Sequence, residues 1–304
     1  MNQTDRQPIP ETIPVIDFRP FLQGDRAVQT TVAKQLYQAC QQSGFVYLQH
    51  NLPSAQMEQL FEQMQGFFSL PESVKAQLMR SPETNCGYVP VAGERLNPER
   101  PGDWKEALNV GLQSTWLPGQ SEFQQVVSSF YRDTTQLAFA VLKAFALAFD
   151  LPEFFFTNQH GQNLFLRLLH YPPLDESIAA QQIRAGEHTD YGSITLLFQD
   201  DVGGLEIWTG KEWIAAPTIP QTVLVNIGDA MQRWTNDQLR STAHRVVNPV
   251  GVTRERSRYS AALFCDPNPE VMITCLETCC AADRPRYSPI RYDAYLQSKF
   301  AATY

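Results

Sequence analysis

His188–Gly210 reads HTDYGSITLLFQDDVGGLEIWTG, and this stretch decides the fold. Ile194–Gln199 is a short apolar run of strand-forming residues, followed by the turn signal Asp201-Val-Gly-Gly204. Leu205–Trp208 is a second such run, closed by Thr209-Gly210. Runs of the same kind recur at Asn163–Tyr171, Thr222–Ile227 and Tyr259–Phe264, with Gly228-Asp229 as a further turn. Many short strands with turns between them predict a mainly β core, a double-sheet jelly roll (double-stranded β-helix) or a barrel.

Upstream of about residue 160 the period is helical. Val28, Val32, Leu36 and Cys40 recur every four residues in Ala27–Gln42, predicting an amphipathic helix that Gly44 ends. A compact strand, Phe45–Leu48, follows. A second helix is expected from Ser54, read as its N-cap, to Phe68, with Leu70-Pro71 as its breaker. Ile13–Phe18 reads as an opening strand, Phe123–Phe149 as a long supporting helix and Tyr287–Tyr304 as a C-terminal helix. Residues 80–119 are rich in Pro, Gly and Asn and read as long loops over a site. The expected organisation is an N-terminal region, 1–119, and a jelly-roll core, 120–304, joined in one compact α+β unit.

Composition narrows the function. Hydrophobic residues make up 43% and charged residues 18%, a globular balance. The formal net charge of −8 disfavours polyanionic partners, and the densest basic run, Arg254, Arg256 and Arg258, alternates with other residues. No nucleic-acid partner is therefore expected. Residues 1–12 are polar, without the apolar core of a secretory leader, and no apolar run is long enough to span a membrane. A cytoplasmic protein is expected, with its six cysteines reduced.

The chemistry lies in the β half. His188-Thr-Asp190 sets an imidazole and a carboxylate at i and i+2, on one face of an extended chain. His244 follows 54 residues later (244 − 190). Two imidazoles and one carboxylate make a facial triad suited to non-haem Fe(II), although zinc accepts the same set. Arg258-Tyr-Ser260, 14 residues past His244 (258 − 244), again has i, i+2 geometry. A guanidinium and a hydroxyl on one strand face can fork onto a small carboxylate, which a zinc hydrolase does not need. His170 alternates with Tyr171 and should face away from the metal; His50 and His160 are expected to be solvated.

The ordered set His188-Thr-Asp190, His244-Arg-Val246 and Arg258-Tyr-Ser260 resembles the 2-oxoglutarate/Fe(II)-dependent dioxygenase superfamily, and within it the isopenicillin-N-synthase-like branch. Ile13–Phe18, Gly44–Tyr47, Asn85–Pro90, Asp103–Glu106, Gln199–Leu205, Asn226–Asp229 and Trp234–Asn236 extend the likeness over nearly the whole chain. The resemblance implies a jelly roll and, as cofactor and co-substrates, Fe(II), 2-oxoglutarate and O2. It implies His188, Asp190 and His244 as iron ligands, and Arg258, Ser260 and Tyr171 as the 2-oxoglutarate site. The implied reaction oxidises a small-molecule metabolite, by hydroxylation, desaturation or cyclisation, with release of succinate and CO2. Two alternatives stay open: an iron oxidase of the isopenicillin N synthase type, independent of 2-oxoglutarate, and a non-catalytic β-fold binding protein. Leu169 stands where plant relatives often have Asn, and a longer turn is read at Pro249–Thr253. Tyr88, Arg95, Lys105 and Phe264 are the candidates for substrate contact.

Overall fold

The computed structural model describes residues 12–97, 99–174, 178, 181–280 and 284–303; residues 1–11, read above for a leader, and Tyr304 lie outside these. After the short strand β1 (Val15–Asp17) come helices α1 (Arg19–Gln23) and α2 (Arg26–Ser43). The Asp25 carboxylate accepts the Val28 backbone N–H at 3.0 Å and caps α2. Gly44 ends it with φ +71, where a Cβ would lie 2.4 Å from the Arg240 carbonyl oxygen. Both the left-handed backbone and the close approach require glycine. Strand β2 (Phe45–Gln49) follows at once, then α3 (Ser54–Phe68). Pro53 takes the cap position of α3, so Ser54 sits inside the helix and not at its cap as expected.

The chain continues through α4 (Glu72–Lys75), β3 (Gly87–Val89), β4 (Glu106–Val110) and the long α5 (Ser121–Ala148). Then come β5 (His160–Tyr171), β6 (Ala185–His188), β7 (Ile194–Gln199), β8 (Leu205–Trp208), β9 (Trp213–Ala215) and β10 (Thr222–Ile227). The last elements are α6 (Asp229–Trp234), β11 (His244–Val246), β12 (Arg258–Pro267), β13 (Met272–Ile273), α7 (Glu277–Cys280), β14 (Ile290–Arg291) and α8 (Tyr292–Thr303).

Eight strands form one sheet in the order β1-β2-β10-β7-β12-β5-β4-β3, and four form another, β6-β11-β8-β9. This is the jelly roll expected from the strand pattern. Strand alternation sorts the large sheet's side chains into two environments. Leu164, Leu166, Leu168, Leu196, Phe198, Val225, Ala261 and Leu263 pack with Leu36, Leu60, Met64, Phe130 and Val141 of α2, α3 and α5. Residues of the opposite parity, among them Tyr171, Leu169, Leu224 and Ala262, meet Ala185, Leu205, Ile207 and Val246 of the small sheet. A cavity of about 510 Å³ opens among this second set.

Four expectations are corrected. Residues 80–119 are not all loop, because β3 and β4 lie within them and extend the large sheet beside β5. Every residue of β4 is buried, so no polar–apolar alternation marks it in the sequence. His50 and His160 are buried, not solvated. The ring of His160 bonds the Phe156 carbonyl at 2.6 Å and Ser193 Oγ at 2.9 Å, contacts that a loop-like sequence context does not reveal. Cys275 and Cys280 form a disulfide, so not all six thiols are free.

Candidate active site

β6 and β11 pair in the small sheet with His188 directly opposite His244, and the two ring centroids are 4.3 Å apart. Asp190 lies just past β6. Its Oδ1 is 3.9 Å from His188 Nε2 and 3.7 Å from His244 Nε2. Among the described residues no other three His, Cys, Asp or Glu side chains converge in this way.

Each group is held from behind. His188 Nδ1 bonds the Gly186 carbonyl at 2.7 Å, and His244 Nδ1 bonds the Thr242 carbonyl at 3.1 Å. A carbonyl only accepts, so each Nδ1 carries the proton and each Nε2 presents a lone pair. Thr195 Oγ1 and Asn226 Nδ2 donate to Asp190 Oδ2 at 2.6 and 2.7 Å, leaving Oδ1 to face the imidazoles. Burial, followed by the charge of His244, pushes the His188 pKa down to about 3. Burial acts to raise that of Asp190, but His244, His188, Asn226 and Thr195 outweigh it and hold the carboxyl below its usual range. A neutral imidazole and an anionic carboxylate are the forms a metal takes up. Two nitrogens and one oxygen, aimed at one point with their other atoms tied back, fit Fe(II) with one coordination face open.

A second constellation lies on the large sheet. Arg258 pairs with Tyr171 and Ser260 with Leu169 across β12 and β5. The Arg258 guanidinium carbon is 4.7 Å from the Tyr171 ring centre. Its Nη1 donates to Ser260 Oγ at 3.2 Å and its Nη2 to Gln199 Oε1 at 2.9 Å. Nε has no partner although Arg258 is only 1% exposed, and no carboxylate among the described residues pairs with it. A buried, incompletely bonded guanidinium facing a cavity fits a carboxylate ligand. Tyr171, Arg258 and Ser260 line the same cavity as the triad.

The cavity's other polar wall differs. Phe165 and Phe264, cross-strand partners, stack with centroids 4.9 Å apart. Beside them Arg167 forms an ion pair with Glu94, and its Nε is unpartnered. Lys105 lines the cavity but is bound by Asp103 and lies 3.9 Å from Glu94.

Similarity to known proteins agrees with this geometry. Residues 162–267 match the 2OG-Fe(II) oxygenase superfamily, and 13–129 match the family described as non-haem dioxygenase in morphine synthesis N-terminal. The 2-oxoglutarate-Fe(II) type oxidoreductase hxnY of Emericella nidulans is 31% identical over 97% of this chain and 91% of its own length. The chain belongs to the 2-oxoglutarate/Fe(II) oxygenase superfamily. The proline hydroxylase buaE of Petromyces alliaceus is 33% identical to this oxygenase over 95% of the chain and 98% of its own length. A full-length Neurospora crassa protein crystallised in complex with alpha-KG superposes with TM-score 0.87 at 34% identity, covering 100% of this chain and 98% of that one. The oxygenase is thus an Fe(II)- and 2-oxoglutarate-dependent dioxygenase, which takes the place of the oxidase and binding-protein alternatives.

Of the residues singled out in the sequence, His188, Asp190, His244, Tyr171, Arg258, Ser260, Phe264 and Lys105 line the oxygenase's cavity. Tyr88 and Arg95 do not. Tyr88 is buried elsewhere, donating to Glu106 Oε2 at 2.5 Å, and Arg95 is exposed. His170 bonds Glu106 Oε1 at 2.7 Å and Ser257 Oγ at 2.9 Å, on the sheet face away from the triad, as alternation requires. Thr195, Arg167 and Asp266 also line the cavity, and the sequence motifs do not assign them a role. Thr195 shares its parity on β7 with Leu197, which also lines the cavity, Asp266 continues the Arg258–Ser260 face and Arg167 the Tyr171 face, so the period of two is the signal that could find all three.

Proposed function

We propose that His188, Asp190 and His244 hold the iron, and that Arg258, Ser260 and Tyr171 bind the far carboxylate of 2-oxoglutarate. The observation that carries this is one cavity with the His188, Asp190 and His244 cluster and the Arg258 guanidinium, which has no carboxylate partner among the described residues, both on its wall. With 2-oxoglutarate and O2, the bound iron supplies the oxidising power that breaks a substrate C–H bond. The protein's own part is orientation. Thr195 and Asn226 fix which oxygen of Asp190 faces the metal position, the Gly186 and Thr242 carbonyls fix the imidazole tautomers, and Gln199 and Ser260 aim Arg258. The cavity sits between the two sheets, which wall the reacting centre on both sides.

For the primary substrate, the wall of Phe165, Phe264 and Arg167 suits a small flat heterocycle. The phenyl groups offer stacking area, and the guanidinium offers donors to ring carbonyls. Supporting this, the Neurospora crassa protein was also solved with thymine, and that structure superposes with TM-score 0.86 at 34% identity over 100% of this chain and 99% of that one. The first test is anaerobic addition of 2-oxoglutarate to the Fe(II) protein, which should develop a weak visible charge-transfer band; its absence overturns the iron and co-substrate assignment. The second is succinate release on admitting O2 with thymine, compared with free proline. Turnover with proline alone overturns the heterocycle assignment and leaves the first intact.

A further inference from the structure

Arg184 lies four residues before His188 and is completely buried, with a relative exposure of 0%. Its Nη2 donates to the Arg256 carbonyl at 2.9 Å. Its Nε and Nη1 have no partner, and among the described residues no carboxylate forms an ion pair with it. Its guanidinium carbon is 6.0 Å from the centre of the Tyr171 ring, the ring that Arg258 also approaches, at 4.7 Å. Two buried guanidinium groups thus share one aromatic ring, and neither has an acidic partner within ion-pair distance. The acid whose charge acts on both is Asp200, which is already occupied by the Tyr259 and Val202 backbone N–H groups at 2.6 and 3.0 Å.

Such an arrangement opposes folding on its own account. Each buried cation loses hydration, and the two repel: burial and then Arg258 push the Arg184 pKa down to about 10. An anion bound at Arg258 relieves both costs at once. Arg184 is not on the cavity wall, so it acts through the field and through the ring of Tyr171 and not by touching the ligand.

From this geometry we infer that Arg184 is a second cation of the co-substrate site, a positioning residue that makes the site selective for a keto acid with a second, distal carboxylate. The inference rests on the assignment of Arg258 to 2-oxoglutarate. It goes further in placing part of the selectivity on a residue that the ligand does not contact.

The test is calorimetric binding to the Fe(II)-loaded protein under nitrogen, with 2-oxoglutarate and with 2-oxobutyrate, which lacks the distal carboxylate. Arg184→Gln keeps a donor for the Arg256 carbonyl and removes the charge. It should weaken 2-oxoglutarate roughly tenfold and leave 2-oxobutyrate unchanged. Arg184→Lys, which restores the charge, should recover most of the loss. Equal weakening of both keto acids, or of neither, overturns the inference, as does a lysine variant no better than glutamine. If the glutamine variant does not fold, Asp200→Asn carries the test. Removing the acid that acts on both arginines should tighten 2-oxoglutarate roughly threefold and leave 2-oxobutyrate unmoved, and unchanged 2-oxoglutarate affinity overturns the inference. Arg258→Ala separates the two levels. If it fails to weaken 2-oxoglutarate selectively, the anchor assignment itself falls; if it does so while Arg184→Gln has no effect, only the role of Arg184 falls.

Discussion

Asn226 donates its side-chain amide to one oxygen of Asp190 at 2.7 Å and leaves the other oxygen to the two imidazoles. Thr195, its cross-strand partner between β10 and β7, donates to that same Oδ2 at 2.6 Å. The proposed metal position is therefore built by the large sheet as well as the small one. Asn226→Ala should lower Fe(II) affinity about 10- to 100-fold while the fold is kept, because such outer partners set ligand orientation. Equilibrium dialysis with the metal measures this, and wild-type affinity in the variant would refute it.

His188→Ala should abolish succinate formation by removing one of the three proposed ligands. Arg258→Ala should instead raise the KM for 2-oxoglutarate roughly 30-fold or more, with a smaller change in kcat at saturation, since the charge is used in binding. Steady-state kinetics with 2-oxoglutarate varied separates the two outcomes.

Glu106 collects three partners in a buried position: Lys75 at 2.6 Å, Tyr88 at 2.5 Å and His170 at 2.7 Å. Burial acts to raise its pKa, but the bonds from His170, Lys75 and Tyr88 outweigh that and lower it. Glu106→Gln strands the Lys75 ammonium, which is itself buried, and should cost about 3–5 kcal/mol. Urea denaturation at neutral pH reads this directly.

Burial pushes the His160 pKa down to about 4 from an ordinary 6.5. The unfolded chain therefore binds more protons between these values, and stability falls as pH drops from 6.5 towards 4. The full effect of this one residue is about 3 kcal/mol, all of it present above pH 6.5. His160→Gln should flatten that part of the stability–pH curve, measured as urea midpoints between pH 4.5 and 7.

A Cβ on Gly228 would lie 2.3 Å from the Gly192 carbonyl oxygen and 3.1 Å from the Asp190 carbonyl oxygen. Gly228→Ala should therefore displace the turn that carries Asp190. The expected loss is about 1–3 kcal/mol of stability, with metal affinity falling alongside it. Thermal melts with and without Fe(II) check both.

The period of two in Ile194–Gln199 and Tyr259–Phe264, the helical spacing of α2 and the i, i+2 pairs His188/Asp190 and Arg258/Ser260 are local properties of the chain. Backbone geometry alone turns them into faces, so the jelly roll and the candidate ligand set proposed here are legible in the amino-acid sequence by itself. What depends on pairing between distant strands is not legible there. The convergence of Thr195 and Asn226 on Asp190 follows from register between β7 and β10, and the meeting of Arg184 with Arg258 over Tyr171 follows from long-range packing. The burial of His160 and the strand at Glu106–Val110 are likewise decided by what lies above and beside them, which no local pattern of residues encodes.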